Sequence, residues 1–105
     1  MSLQQLRGKL GKGLYVDNLY EMARICKDMA LESDNPAPFF IMQKIFLGVA
    51  NYRDEAPINV EEAKLVDIEL ENQLKQLVSA VETSASIEDI IRLANKAIST
   101  YLFYF

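Results

Sequence analysis

Residues 60–83 read VEEAKLVDIELENQLKQLVSAVET. Ala63, Val66, Leu70, Leu74, Leu77 and Val81 step through this stretch by 3, 4, 4, 3 and 4 residues, the spacing that stacks side chains along one face of an α-helix. At 1.5 Å per residue the segment predicts about 36 Å of helix carrying a narrow apolar seam. A seam of that kind is stable only against other helices, so this stretch decides the fold class.

Moving toward the C-terminus, Ser84-Ala85-Ser86 breaks the pattern, and Ser86 with Asp89 reads as a helix cap and its third-position partner. The following helix carries Ile87, Ile90, Ile91, Ala94, Ala97, Ile98, Tyr101, Leu102 and Phe105 on one stripe and is expected to run toward Phe105. Moving the other way, Arg53–Asn59 is a connection, with Asn59 and Glu62 resembling the cap of the 60–83 helix. Before it, residues 38–52 read PFFIMQKIFLGVANY, apolar almost all round, with Gln43 and Lys44 as the polar side chains ahead of Asn51. A helix of this composition must be surrounded, by its own domain or by a second chain.

Pro36 and Pro38 interrupt the chain upstream, because each disfavours the α region for the residue before it, and either can open the next helix. Leu19, Met22, Ala23, Cys26, Met29 and Ala30 then form the apolar face of an earlier amphipathic helix. Asn18 and Glu21 read as its capping box, with Leu14–Val16 as a possible backward extension. Residues 1–13 carry Arg7, Lys9 and Lys12 with no acid, and Gly8, Gly11 and Gly13 each disfavour helix by about 1 kcal/mol relative to alanine. This segment is read as a short basic arm. With no alternating strand pattern and no Asn-Gly or Asp-Gly hairpin signal, the expected fold is all-α and four-helix bundle-like: largely antiparallel helices in one domain, 14–105, preceded by the arm, 1–13.

The chain has 105 residues, of which 50% are hydrophobic and 25% charged, enough for one real core without disulfide staples. Eleven basic against fifteen acidic side chains give a net charge of -4, which disfavours nucleic acid and anionic lipid as partners. The charge is uneven: residues 1–53 hold seven bases and five acids, residues 54–105 four bases and ten acids. One cysteine allows no internal disulfide, and the longest uncharged apolar-rich run, Ala97–Phe105, is too short for a membrane span. A cytoplasmic protein is expected.

Catalytic possibilities narrow quickly. The sequence has no histidine, which removes Ser-His-Asp and Cys-His nucleophile pairs, His-bound zinc and Glu-x-x-His di-iron sites. Carboxylate chemistry with Mg²⁺ or Mn²⁺ survives, as in all-α nucleotide pyrophosphatases, whose Glu-Glu-x-x-Glu motif stops here at Glu61-Glu62 because Leu65 replaces the third acid. Lys64, Asp67, Glu71 and Lys75 lie opposite the seam and read as a salt-bridged solvated ridge, and Glu88 and Asp89 as acids favoured by a helix N-terminus. Gly8–Gly13 lacks the Lys-Ser/Thr end of a phosphate loop. Cys26 sits on an apolar face and reads as an inert buried thiol. No catalytic, metal or cofactor site is assigned.

What remains is a surplus of apolar surface. Tyr101-Leu102-Phe103-Tyr104-Phe105 covers every side of a helix, and Phe40, Ile41 and Leu47 fall outside the face defined by Phe39, Met42, Phe46 and Val49. Patches of this kind mark interfaces. Phe39, Phe40, Ile41, Leu47, Tyr101, Phe103, Tyr104 and Phe105 are therefore the candidate interaction residues of a non-enzymatic helical protein-interaction module, a homodimer or an adaptor to another protein. Arg92-Leu93-Ala94-Asn95-Lys96 followed by Ser99-Thr100-Tyr101-Leu102 resembles a helix of bacteriocin immunity proteins. That resemblance implies an alternative, an immunity or antitoxin-like protein whose acidic half docks one basic partner. A metal-dependent pyrophosphatase is the other alternative.

Overall fold

The computed structural model describes the backbone of residues 2–55 and 60–103, with side chains described except at positions 52, 54, 55, 60–63 and 103. Five helices follow one another: α1 (Leu3–Leu10), α2 (Val16–Glu32), α3 (Ala37–Glu55), α4 (Val60–Glu82) and α5 (Ile87–Phe103). There is no strand among the described residues. The expected all-α, bundle-like fold is the one observed.

The expectation that residues 1–13 form an arm without helix is corrected, because Leu3–Leu10 is helical and part of the core. Ser2 and Gln5 form a reciprocal capping box: the Gln5 backbone N–H donates to Ser2 Oγ at 3.2 Å, and the Ser2 N–H donates to Gln5 Oε1 at 3.0 Å. Leu6 and Leu10 are fully buried. Burying two leucines contributes roughly 3 to 6 kcal/mol, which outweighs the roughly 1 kcal/mol that Gly8 costs inside the helix. Glycine spacing alone hid this element.

Asn18 does not cap the second helix. That helix begins at Val16, behind Tyr15, and Asn18 is a buried residue of its first turn. Its side-chain amide donates to the Lys9 carbonyl at 2.6 Å and to the Gly13 carbonyl at 2.7 Å, which ties the end of α1 to the start of α2. Gly13 sits at φ +112°, a conformation that closes the turn and that side chains disfavour. Leu19, Met22, Ala23, Cys26 and Met29 face the core as expected, with Ile25 added to them.

The α4 seam is buried at Val66, Leu70, Leu74 and Leu77, with Val81 partly buried. The helix ends in a Schellman turn. Ser84 at φ +57° is its left-handed residue, the Ala85 N–H reaches the Ala80 carbonyl at 2.9 Å, and the Ser84 N–H reaches the Val81 carbonyl at 3.2 Å. Ser86 then caps α5, accepting from the Asp89 N–H at 3.2 Å. The stripe of α5 is narrower than expected: Ile90, Ala94, Ala97 and Tyr101 are buried, whereas Ile87, Ile91 and Leu102 are each 45% exposed. Asn59 lies outside the described residues.

The solvated ridge on α4 holds in part. Lys75 pairs with Glu71 at 3.2 Å, one helical turn away. Asp67 instead crosses to α3 and pairs with Arg53, whose pKa is lowered by the burial of its guanidinium.

α2 packs most extensively on α3 and α4 on α5, α3 also touches α5 and α4, and α1 lies against α2 and α4. Around the molecule the helices therefore run α2, α3, α5, α4, α1. α3 and α5 lie side by side in the same direction, since Phe39 sits near Ile90 at one end and Gly48 against Tyr101 at the other. The accessible surface is 6067 Å², matching the roughly 6,000 Å² that the size scaling gives for a folded monomer of this mass. Any surplus of apolar residues must then show in the make-up of that surface and not in its extent.

Candidate functional site

The groove between α3 and α5 is where apolar side chains reach solvent together. Phe40, Ile41, Lys44 and Ile45 from α3 and Ile98 and Tyr101 from α5 line a cleft of about 270 Å³. Phe40 is 51% exposed and forms the outer wall. The Lys44 ammonium lies 5.2 Å from the centre of the Phe40 ring, a cation–π contact that leaves Lys44 as the charged member of the lining.

Gly48 makes the floor possible. A Cβ at that position would lie 2.6 Å from the Tyr101 hydroxyl and 3.3 Å from its Cζ, so only glycine lets the Tyr101 ring lie this close to the α3 backbone. Tyr101 is 6% exposed. Taking 100° per residue, Ile87, Ile91, Ile98 and Leu102 share one flank of α5, and Ile98 places that flank on the α3 side. Ile87, Ile91 and Leu102 on that flank are each about half exposed, and of the four Ile98 alone lines the cleft.

Of the interaction residues expected from sequence, the structure brings Phe40, Ile41 and Tyr101 into this cleft. Phe39 is partly buried at the other end of the α3–α5 packing, near Pro38 and Ile90. Leu47 packs partly buried against the core and lines no part of the cleft. The Phe103 side chain, Tyr104 and Phe105 lie outside the described residues.

Sequence reasoning missed a second apolar feature. Leu65 and Ile68 on α4 are 68% and 63% exposed, three residues apart on the face turned away from the seam, with Glu69 beside them. Neither residue belongs to the seam spacing, and that mismatch was the available signal.

A polar groove of about 600 Å³ runs between α4 and α5, lined by Glu69, Gln73, Arg92, Asn95, Lys96, Ser99 and Thr100. It gathers most of the residues that carry the immunity-protein resemblance. The Thr100 hydroxyl donates to the Lys96 carbonyl at 3.1 Å, and the Gln73 amide donates to Glu69 Oε1 at 3.4 Å. Gln73 Oε1 is buried with no hydrogen-bond partner among the described residues. Arg92 reaches toward Asp89 at 3.8 Å on the exposed surface.

No protein family, curated protein or solved structure was found that matches the chain.

Among the described residues no group of three His, Cys, Asp or Glu side chains is gathered closely enough to hold a metal ion. None of the described helices is long and apolar enough to cross a membrane. The glycine-rich segment spends its backbone donors internally: the N–H groups of Gly11, Lys12 and Gly13 bond the carbonyls of Arg7, Lys9 and Leu10. Those donors are therefore turned to the end of α1 and not toward a phosphate. Cys26 is fully buried, and burial pushes its thiol up to about 12. A thiol in that state is a poor nucleophile at neutral pH.

Proposed function

We propose that this chain is a non-enzymatic helical protein-interaction module that works as a homodimer or adaptor through the α3–α5 cleft. The observation that carries the reading is Phe40, a large ring left 51% exposed at the wall of an apolar cleft whose lining already includes Ile41, Ile98 and Tyr101. Full burial of such a side chain contributes roughly 1.5 to 3 kcal/mol, so a partner that covers the exposed half gains on the order of 1 kcal/mol from this ring alone. Exposed aromatic anchors beside a pocket are the side chains on which binding energy concentrates.

The test is sedimentation velocity from micromolar to near-millimolar chain, paired with affinity capture from the native extract, for the wild type and Phe40→Asp. Self-association, or capture of a defined protein, that disappears in Phe40→Asp supports the module. Identical behaviour of the two proteins in both measurements overturns it.

A further inference from the structure

We infer that the polar groove between α4 and α5 binds a small zwitterion, with a primary ammonium and a carboxylate on the same molecule, as in a free amino acid or a short peptide. None of the groove residues belongs to the α3–α5 cleft, so this site stands apart from the proposed interface. The residue that points to a ligand is Gln73. It lines the groove, is 6% exposed, and its Oε1 has no hydrogen-bond partner among the described residues. Turning the amide over does not remove that acceptor, because the amide nitrogen donates to Glu69 Oε1 at 3.4 Å and a carboxylate only accepts. Buried amide oxygens are rarely left unmet, so the floor of the groove calls for a donor that the described chain does not supply.

Sorting the lining by hydrogen-bond chemistry identifies what carries the donor. On the α4 wall, the Glu69 carboxylate and Gln73 Oε1 can only accept; on the α5 wall, Arg92 and Lys96 can only donate. Among the described residues no ion pair joins Glu69 to either cation, and Lys96 has no ion-pair partner. Arg92 leans toward Asp89 at 3.8 Å, outside the lining, which leaves Lys96 as the principal cation of the groove. A ligand that serves both walls therefore carries positively charged N–H donors at one end and negatively charged oxygens at the other. Hydrogen bonds with charge on both partners are roughly twice as strong as neutral ones. Simpler ligands leave a wall unserved. Inorganic phosphate suits Lys96 but sets a second anion beside Glu69, a lone cation suits Glu69 and Gln73 but sits beside Lys96 and Arg92, and a neutral polyol forgoes the charge on both sides. Asn95 and Ser99 donate and accept, and meet the remaining polar atoms. At about 600 Å³ the groove falls within the roughly 300 to 1,000 Å³ of small-molecule sites. Its charged groups stay in contact with solvent, so the affinity is modest, with Kd on the order of 1 mM or below.

Amide NMR of the isotope-labelled chain tests this, with free amino acids one at a time and triglycine as probes, each up to about 10 mM. Saturable shifts are expected at the Gln73 side-chain amide and the backbone amides of Lys96, Ser99 and Thr100. Glu69→Gln and Lys96→Gln, both at exposed positions, should each weaken binding at least about tenfold, as should acetylating the amine or amidating the carboxylate of the same probe. Gln73→Leu should weaken binding as much while its urea midpoint does not fall, a split that a purely structural glutamine would not give. Glu69→Gln carries the test if Gln73→Leu does not fold. Binding of a free amino acid but not of triglycine assigns the free form, and binding of triglycine assigns a short peptide. No saturable shift with any probe, shifts that lie outside the groove, equal binding of inorganic phosphate, glycerol or the acetylated probe, or undiminished binding in Glu69→Gln and Lys96→Gln overturns the inference. None of these outcomes bears on the sedimentation of Phe40→Asp, so the two readings fail separately.

Discussion

Replacing Gly48 by alanine should destabilise the chain only while the Tyr101 hydroxyl is present. The added Cβ would meet that hydroxyl at 2.6 Å, against an ordinary contact of about 3.4 Å or more. The oxygen must therefore retreat by about 0.8 Å inside a wall where Tyr101 is 6% exposed. Overpacking of this order costs roughly 1 to 3 kcal/mol. Alanine in place of glycine inside a helix returns about 1 kcal/mol. The balance is a loss of about 0 to 2 kcal/mol, centred near 1, or a fall in Tm of roughly 4 °C for a chain of this size.

In a Tyr101→Phe background the hydroxyl is gone, and the nearest remaining ring atom is Cζ at 3.3 Å, which needs a shift of only about 0.1 Å. Gly48→Ala should then be neutral or stabilising by up to about 1 kcal/mol. Whatever Tyr101→Phe costs by itself cancels in the double-mutant cycle, leaving a coupling of about 1 to 3 kcal/mol. Urea denaturation of the four proteins measures it. Equal effects of Gly48→Ala in both backgrounds, within about 0.5 kcal/mol, would refute the claim that this glycine exists to seat the tyrosine ring.

Three further outcomes are expected. Ser84→Gly should raise stability by about 0.5 to 1 kcal/mol in thermal denaturation, because Ser84 holds φ +57° in the Schellman turn and glycine takes that conformation without steric penalty. Gln73→Leu should be neutral or stabilising by about 1 kcal/mol, because it removes a buried amide oxygen with no partner, and a clear loss in urea midpoint would show that the oxygen is satisfied. The Cys26 thiol lies near 9.0 when unperturbed and is pushed up to about 12 by burial. Above pH 9 the unfolded chain therefore releases a proton that the native chain keeps, so stability falls between pH 9 and pH 12 by up to about 4 kcal/mol. Comparing the alkaline slope with that of Cys26→Ala isolates this group, and equal slopes would show the thiol to be accessible.

Much of the helical layout was legible because apolar spacing is a direct image of which face is buried. The seam from Val66 to Leu77 and the Ser86 cap follow from spacing and side-chain type alone. What spacing does not carry is the choice between competing local costs. The three glycines of the N-terminal segment argue against helix residue by residue, yet Leu6 and Leu10 gain more from burial than Gly8 loses, and only the tertiary partner reveals that balance. Asn18 shows the same limit, since a side chain suited to capping was used to hold two carbonyls from a neighbouring turn.

The candidate site was half legible. The surplus of apolar residues on residues 38–52 pointed to Phe40 and Ile41, but their meeting with Ile98 and Tyr101 depends on α3 and α5 running in the same direction, which no local pattern encodes. Leu47 has the same composition signal and is placed differently, partly buried against the core. The ridge at Leu65 and Ile68 escaped because the neighbouring seam accounts for the helix so completely that off-register residues draw no notice.

The position of α1 bears on how the chain is made. Its link to α4 joins residues 72 apart, through the Arg7 guanidinium donating to the Ser79 hydroxyl at 2.9 Å. At a synthesis rate of about 5 to 20 residues per second, Ser79 follows Arg7 off the ribosome by roughly 4 to 14 seconds. During that interval the first helix has only the second to shelter its leucines, and the polypeptide waits, half dressed, for the segment that will clasp its beginning.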